Sequence, residues 1–476
     1  MTRKQDYLIE LIAQLNANEK RYFKLFNSLQ KGGKKYLRLF DELAKVKTYN
    51  ADALSAKLKI PKKQLSDDKQ YLQDVLLKAL RNFDAAGVNR LYNRHMDARA
   101  LFSRGLFRQA LELTESLIEE AENSEQFQLL PALHWVRNAC CLNLDIAQNP
   151  AQVKKQMEQL NTAVNEVNTL SAVSYYLQHV RRNGIVLRKN APFMQERLLK
   201  APAKKLHSIR AKVLWYHIHR DFADVMRDRK RENDFNVQLF AFYEATPAAV
   251  RLMPDGYFSV LEYLYAYAAE IGDHAKALEY VNTMQERANS KAHAGVLKYL
   301  MKEYAYNAQK GKAWVLCHGK NYSATVKEYE KVFGFYKRFP EGMQQHVLLH
   351  YALSLFQVKD YGRSLHIINT VLTTNYTEVY FTGQLLMRFL LLLNHIALKH
   401  FSLLSYEVNN INAWVKRNKV KHAESAEFFK VVKSFAKDVS KQQSASFTLL
   451  CEALQSGALK QLNKDLDLEG WVEVVK

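Results

Sequence analysis

Apolar residues recur along most of this chain at intervals of three and four, which is the spacing of one face of an α-helix. Lys31-Gly32-Gly33-Lys34 separates two of these stripes, and prolines mark further helix boundaries between residues 190 and 255. The pattern predicts an all-α fold. Its clearest helical stretches are 7–15, 22–29, 36–43, 54–58, 65–80, 127–144, 153–170 and 209–226.

A short signature recurs where one predicted helix gives way to the next. It consists of Gly or Lys, any residue, an aromatic residue or His, and a small residue three positions later. The last four copies are spaced by roughly forty residues, the length of one helical hairpin in an α-solenoid. The copies are Gly105/Phe107/Ala110, Gly272/His274/Ala277, Lys320/Tyr322/Thr325, Lys359/Tyr361/Ser364 and Lys399/Phe401/Leu404, the last with Leu at the small position.

The segments that carry this signature resemble tetratricopeptide (TPR) repeats, over roughly residues 91–120 and 255–417. In such a unit the small residue lets two helices approach and the aromatic residue fills the turn. The period here is nearer forty than thirty-four, which leaves other helical-hairpin solenoids open. The resemblance implies a TPR-like superhelix that acts as a docking scaffold. By register alone, its groove would present Tyr263, Tyr267, His350 and Ser354.

Composition supports long helices joined by short turns, because the 476 residues include only 16 Gly and 8 Pro. We expect three regions. Residues 1–90 form a basic helical domain, residues 91–254 contain drifted hairpins with a basic segment at 181–231, and residues 255–476 contain the TPR-like repeats.

The cysteines and the N-terminus indicate a cytoplasmic protein. Cys140, Cys141, Cys317 and Cys451 lack the spacing of a zinc or redox site, so we interpret them as reduced, mostly buried residues. The N-terminus lacks the apolar core of a signal peptide. The apolar stretch 381–398 is interrupted by polar residues, so we expect a buried helix and no membrane span.

Two segments supply nearly all of the formal net charge of +21. Residues 1–90 hold 19 Lys/Arg against 10 Asp/Glu, and residues 181–231 hold 15 against 4. A localised excess suggests an anionic partner. The neighbouring aromatic residues, from Trp215 to Phe222, would either stack on bases or point into the core. The candidate phosphate contacts are Arg181, Arg182, Lys204, Lys205, Arg227, Arg229, Lys230 and Arg231.

Residues 54–65 are similar to a helix-turn-helix, with a second helix that begins near Pro61. Lys59 stands where Gly normally permits the turn, and Asp67 and Asp68 place negative charge early on the second helix. A DNA-reading helix and a plain helical cap both remain open for residues 52–80.

Catalytic motifs are not evident in the sequence. It contains neither a GxxxxGK[ST] nor a GxGxxG loop, and His346 and His350 lack the glutamate of a zinc protease motif. We therefore expect no enzyme activity, cofactor, metal or small-molecule substrate. The leading hypothesis is a non-enzymatic scaffold that binds a protein or peptide in a helical-repeat groove. The alternative is a nucleic-acid-associated factor, a transcription regulator or an RNA- or ribosome-associated protein, that uses the basic segments 1–90 and 181–231.

Overall fold

The fold is known from a computed structural model, and within the described residues it consists of helices and turns, with no strand. The predicted all-α class is confirmed. The chain divides into two compact units, Met1–Asn168 and Thr169–Lys476. The described residues are 7–15, 17–28, 33–45, 51–83, 89–183, 197–290, 298–377, 379–419, 425–439, 452, 462 and 466–468.

The N-terminal unit contains two groups of packed helices. Helix α5 contacts α2, α3 and α4 around buried side chains such as Phe23, Phe40 and Leu72. Helices α6, α7 and α8 contact one another. The helices are α1 (Tyr7–Gln14), α2 (Ala17–Ser28), α3 (Gly33–Leu43), α4 (Ala51–Leu58), α5 (Lys62–Phe83), α6 (Asn89–Phe102), α7 (Phe107–Asn123), α8 (Leu130–Asn143) and α9 (Pro150–Arg182), which continues into the second unit.

The helix-turn-helix segment folds as a short helix, a tight turn and a long helix. Lys59 adopts a φ of 57°, the conformation that Gly would take most easily. The Ser55 hydroxyl donates to the Ile60 carbonyl oxygen at 2.6 Å, which closes the turn. Leu65 and Leu72 on α5 are buried in the unit, while Lys62 and Lys63 are exposed. Whether α5 reads DNA stays a prediction.

In the C-terminal unit, successive helices pack against one another from α14 to α20, and α21 packs on α20 and α22. Every second helix also makes contact, in the order α14, α16, α18, α20. The helices are α10 (Arg197–Lys200), α11 (Ile209–Val225), α12 (Arg229–Ala245), α13 (Pro247–Leu252), α14 (Pro254–Glu270), α15 (His274–Asn289), α16 (Lys298–His318), α17 (Tyr322–Phe333), α18 (Glu341–Gln357), α19 (Tyr361–Thr373), α20 (Phe381–Ala397), α21 (Phe401–Asn418) and α22 (Ser425–Val439).

The recurrent signature marks one turn geometry. All five first residues have a left-handed φ, from 56° at Lys320 to 86° at Gly272. The next N–H donates to a carbonyl five residues earlier, as from Asp273 to Ala268 at 2.8 Å, which ends the first helix in a Schellman motif. Where that next residue is Asp or Asn, its side chain also caps the second helix. Asp273, Asn321 and Asp360 accept from the N–H three residues later, at 3.0, 3.3 and 3.2 Å.

Two aromatic positions and four small positions of the signature make close contacts between consecutive helices. Phe107 and Tyr361 meet a phenylalanine of the preceding helix edge-on, each with ring centroids 5.4 Å apart. The small residues Ala110, Ala277, Thr325 and Ser364 are fully buried. The Ser364 hydroxyl donates to the Ala352 carbonyl oxygen at 2.8 Å, so α19 lies directly on the backbone of α18.

A further copy of the turn lies at Arg227-Asp228, where the sequence pattern does not show it. Arg227 has a φ of 56°, and Asp228 caps α12 by accepting from the Arg231 N–H at 3.1 Å. Arg229 takes the aromatic position, and Glu232 takes the small position, where it is 4% exposed. The guanidinium of Arg229 pairs with that carboxylate at 2.9 Å.

Helices α18 and α20 are buried on nearly every side. In α20 all residues from Gly383 to Ile396 except Arg388 are buried. Phe389 meets Phe428 and Phe429 of α22, with ring centroids 4.8 and 5.6 Å apart. In the described part of the chain no helix is long and apolar enough to cross a membrane.

Candidate functional site

A cavity of about 150 Å³ lies where α14, α16, α17 and α18 meet. Most of its lining is apolar, and Met343 at its edge is 36% exposed. Because the lining comes from four helices spread over more than eighty residues, the site exists only once the hairpins have stacked. It is lined by Tyr265 and Ala266 of α14, Lys310 and Trp314 of α16, Tyr329 of α17, and Met343, His346 and Val347 of α18.

The wall formed by Tyr265 depends on a glycine in the facing helix. A Cβ atom at Gly311 would lie 2.8 Å from the Tyr265 ring carbon that carries the hydroxyl. Any larger residue would therefore push the ring out of place. Tyr265 also packs near Trp314, with ring centroids 6.2 Å apart, so that two aromatic rings border the same space.

The charge on the cavity wall comes from Lys310. Its ammonium lies 5.5 Å from the Phe339 ring centroid, and burial lowers its pKa while the nearby Glu262 carboxylate opposes that shift. Burial raises the pKa of Glu262 in turn. Burial, with Lys310 and His318 as minor causes, lowers the pKa of His346 to about 4, so the imidazole is neutral at pH 7. The cavity is thus an apolar space with an amine at its wall.

From the cavity, a seam of facing side chains follows α16 and α18. One face of α16 carries residues 310, 314 and 317. One face of α18 carries residues 343, 346/347, 350, 354 and 357. The Cys317 sulfur lies 3.7 Å from both the His350 Nδ1 and the Ser354 hydroxyl oxygen. His350 and His346 bring their Nε2 atoms within 3.3 Å.

These seam residues form a buried polar contact and do not show the features of a reactive centre. Burial raises the pKa of Cys317 to about 12, so the thiol is protonated at neutral pH and a poor nucleophile. Burial also lowers the pKa of His350. Among the described residues no group of three or more His, Cys, Asp or Glu could hold a metal ion. Cys140 and Cys141 are also free and buried, and Cys451 lies outside the described residues.

At its far end the seam meets residues from the end of the chain. Gln357 of α18 donates to the carbonyl oxygens of Leu466 and Asp467, at 2.9 and 2.6 Å. Lys320, in the turn between α16 and α17, and Tyr322, the first residue of α17, bond the Asp467 carboxylate. The sequence pattern identifies the turn but not this partner, which lies 147 residues from Lys320.

The candidate phosphate contacts fall into two groups. Lys204, Lys205, Arg227 and Lys230 are exposed. Arg181 is also exposed, but its guanidinium pairs with Asp224 at 2.8 Å.

Arg229 and Arg231 also make contacts within the protein. Arg229 pairs with Glu232 and with Glu270 at 2.6 Å. The Arg231 guanidinium lies 5.8 Å from the Phe235 ring centroid. The side chain of Arg182 lies outside the described residues.

The aromatic residues of the basic segment pack inside the unit. The rings of Trp215 and His219 are tilted by 50° with centroids 4.0 Å apart, and both rings lie against Phe235 of α12. Phe222 is 7% exposed. Burial lowers the pKa of His217 to about 3 and that of His219 to about 4. Of the two interpretations, the packing favours side chains that fill the core over a platform for stacking bases.

Of the groove residues expected from register, His350 and Ser354 lie in the α16–α18 seam. Tyr263 and Tyr267 lie under Arg229, with its guanidinium carbon 5.6 and 5.9 Å from their ring centroids. The cavity residues Tyr265, Lys310 and His346 are not predicted by the signature. A helical projection of each predicted helix would have found their stripes, but not which stripes face each other.

Neither a protein-family profile, nor a curated protein, nor a solved structure matches this chain.

Proposed function

We propose that this chain is a non-enzymatic interaction scaffold whose helices α14–α21 stack as a TPR-like α-solenoid. The contacts between every second helix, from α14 to α20, support this arrangement, because hairpins stacked in one direction bring their first helices side by side. The proposed partner is a protein or peptide that inserts one apolar side chain into the cavity between α14, α16 and α18.

The observation that carries this proposal is the size and chemistry of the cavity. An apolar cavity of about 150 Å³ is large enough to hold benzene, and hence a leucine or phenylalanine side chain. The Lys310 amine at the wall disfavours a cationic occupant and favours a partner with a carboxylate near its anchoring side chain. Burying one such anchor contributes about 1.5–3 kcal/mol.

The experiment fills the cavity from its own wall. Peptides are selected from a displayed random library on the immobilised full-length protein, and their affinities are measured by fluorescence polarisation. Ala266→Phe places a ring in the cavity, so the selected peptides should lose about 10- to 150-fold in affinity, the equivalent of the lost anchor. They should be enriched in leucine or aromatic residues near Asp or Glu.

Ala275→Phe is the matched control, because Ala275 is exposed on α15, away from the cavity. It introduces the same ring and should leave affinity unchanged. Peptides that bind the Ala266→Phe and wild-type proteins equally well would show that the cavity is not the docking site. A library that yields no enriched peptide would contradict the proposed function itself.

A further inference from the structure

The described residues at the end of the chain are held like a bound peptide. Leu462, Leu466 and Leu468 are fully buried and belong to the same hydrophobic cluster as α18 and α20. Between the last two, Asp467 adopts a left-handed φ of 48°. Gln357 bonds the main chain at Leu466 and Asp467, which places the segment against the end of α18 independently of its side chains.

The Asp467 carboxylate has two specific partners. The Lys320 ammonium lies 2.6 Å from one oxygen, and the Tyr322 hydroxyl donates to the other. Burial and the bond to Asp467 raise the pKa of Tyr322, so the phenol remains a donor at every physiological pH. The Asp467 side chain is 20% exposed and that of Lys320 is 62% exposed, so the carboxylate is partly shielded from solvent while the ammonium is not.

These contacts have the composition of a peptide-recognition site. Main-chain hydrogen bonds position the segment, apolar side chains on either side enter a buried surface, and one charged pair selects the residue between them. Both carboxylate partners belong to the recurrent turn, at its first and its aromatic position. The turn that joins two helices thus also forms the binding surface.

We propose that Lys320, Tyr322 and Gln357 form a docking site for an acidic residue between two apolar residues, filled here by Leu466-Asp467-Leu468, and that a partner with this pattern displaces that segment. This rests on the proposed scaffold function and specifies its partner. Gln357 lies eleven residues beyond His346 along α18, which is about 16 Å. A partner that reaches both places therefore needs about five extended residues between its carboxylate and its cavity anchor.

The test uses full-length protein and a fluorescein-labelled synthetic peptide with the sequence of residues 460–470, Lys-Gln-Leu-Asn-Lys-Asp-Leu-Asp-Leu-Glu-Gly. In the wild type, the tethered segment competes at an effective concentration in the millimolar range, so the peptide should bind weakly. Asp467→Lys in the protein places a second positive charge beside Lys320. The repulsion should displace the C-terminal segment and leave the docking site free for the peptide. Peptide affinity should then rise at least 10-fold.

A charge-swapped protein, Lys320→Glu with Asp467→Lys, is the matched control. It restores an ion pair within the chain and should bind the peptide no better than wild type. A peptide with Lys in place of Asp467 should not bind the Asp467→Lys protein. In the wild type, excess unlabelled peptide should speed hydrogen exchange at Leu466–Leu468, a readout that does not depend on a substituted protein.

The proposal is overturned if the peptide binds neither the wild type nor the Asp467→Lys protein and does not change hydrogen exchange at Leu466–Leu468. A lower melting temperature of the Asp467→Lys protein would not rescue it. The segment would then be a structural cap only. Because Ala266→Phe leaves Lys320, Tyr322 and Gln357 intact, this failure is distinct from a failure of the cavity test. A third outcome is that the 460–470 peptide binds but Ala266→Phe does not change the affinity of the library peptides. That result would support the docking site at Lys320 and would show that the cavity is not a docking site.

Discussion

Replacing Arg229 with alanine tests whether this side chain stabilises the fold or is free to contact phosphate. Its guanidinium pairs with Glu232, whose side chain is 5% exposed, and with the exposed Glu270. Without Arg229, the buried Glu232 carboxylate can lose its charge only by taking up a proton. From an ordinary pKa near 4.3 this costs about 1.4 kcal/mol for each pH unit, which sets a ceiling of about 3.7 kcal/mol at pH 7.

The expected loss lies below that ceiling, because the Arg229 side chain is itself 49% exposed and its pairing is weakened by solvent. We expect the free energy of unfolding to fall by about 2–3 kcal/mol at pH 7.5. The loss should also depend on pH. A folded variant that keeps a proton on Glu232, which the unfolded chain releases above about pH 4.3, becomes less stable as pH rises from 5 to 7.

The assay is urea unfolding followed by tryptophan fluorescence in a Trp135→Phe background. Trp135 is the only tryptophan in the N-terminal unit and is 58% exposed, so the remaining signal reports on the C-terminal unit. Arg229→Ala combined with Glu232→Gln should recover most of the stability, because no buried charge remains. Arg231→Ala should change it by less than about 0.5 kcal/mol. An Arg229→Ala protein as stable as wild type at pH 7.5, or a loss independent of pH, would refute this reasoning.

Three other predictions follow from the described geometry. If the nucleic-acid alternative holds, the wild type should bind labelled RNA or DNA with an affinity that falls steeply with salt, and Arg227→Glu with Lys230→Glu should weaken that binding. A wild type that binds neither nucleic acid at about 50 mM salt would exclude this alternative. In urea unfolding, Gly272→Ala should lower the free energy of unfolding by about 1–2 kcal/mol because Gly272 has a φ of 86°. Gly362→Ala should raise it by roughly 0.5–1 kcal/mol, because Gly362 lies within α19 with open space around its Cβ position. Equal effects of the two substitutions would contradict the left-handed turn. Because the folded pKa of His346 is about 4, its contribution to stability should fall as pH drops from 6.5 to 4, by about 2 kcal/mol at pH 5, and His346→Phe should remove that part of the slope. The rest of the slope should remain, because burial also lowers the pKa of His217 to about 3 and that of His219 to about 4.

The turns could be predicted because their requirements are local. A residue that tolerates a left-handed φ, a ring and a small side chain are needed within six positions, so Gly272, His274 and Ala277 can be recognised together. The turn at Arg227 keeps the same backbone but fills the ring and small positions with Arg229 and Glu232. The Arg229–Glu232 ion pair occupies the positions that an aromatic and a small residue fill elsewhere. A search for those residue types therefore does not detect this turn.

The basic segment shows what cannot be predicted from composition alone. Its charge count correctly indicates a cationic stretch, but not which charges are neutralised by neighbours. Asp224 of α11 pairs with Arg181 of α9, and Glu270 of α14 pairs with Arg229 of α12. The aromatic residues of the same stretch contact other rings within the unit, and Trp215 lies with its ring centroid 6.0 Å from that of Phe235 on α12.

The candidate site could not be derived from the sequence, because both of its parts depend on which helical faces meet. Tyr265 and His346 line one cavity only because α14, α16 and α18 lie side by side, and Gly311 matters only because the Tyr265 ring crosses it. Lys320 fits the turn signature for a backbone reason, its left-handed φ, yet its ammonium also binds Asp467. A glycine would satisfy the turn and lose that contact. Lys320 therefore meets two requirements at once, so Lys320→Gly should preserve the turn while weakening the hold on the C-terminal segment.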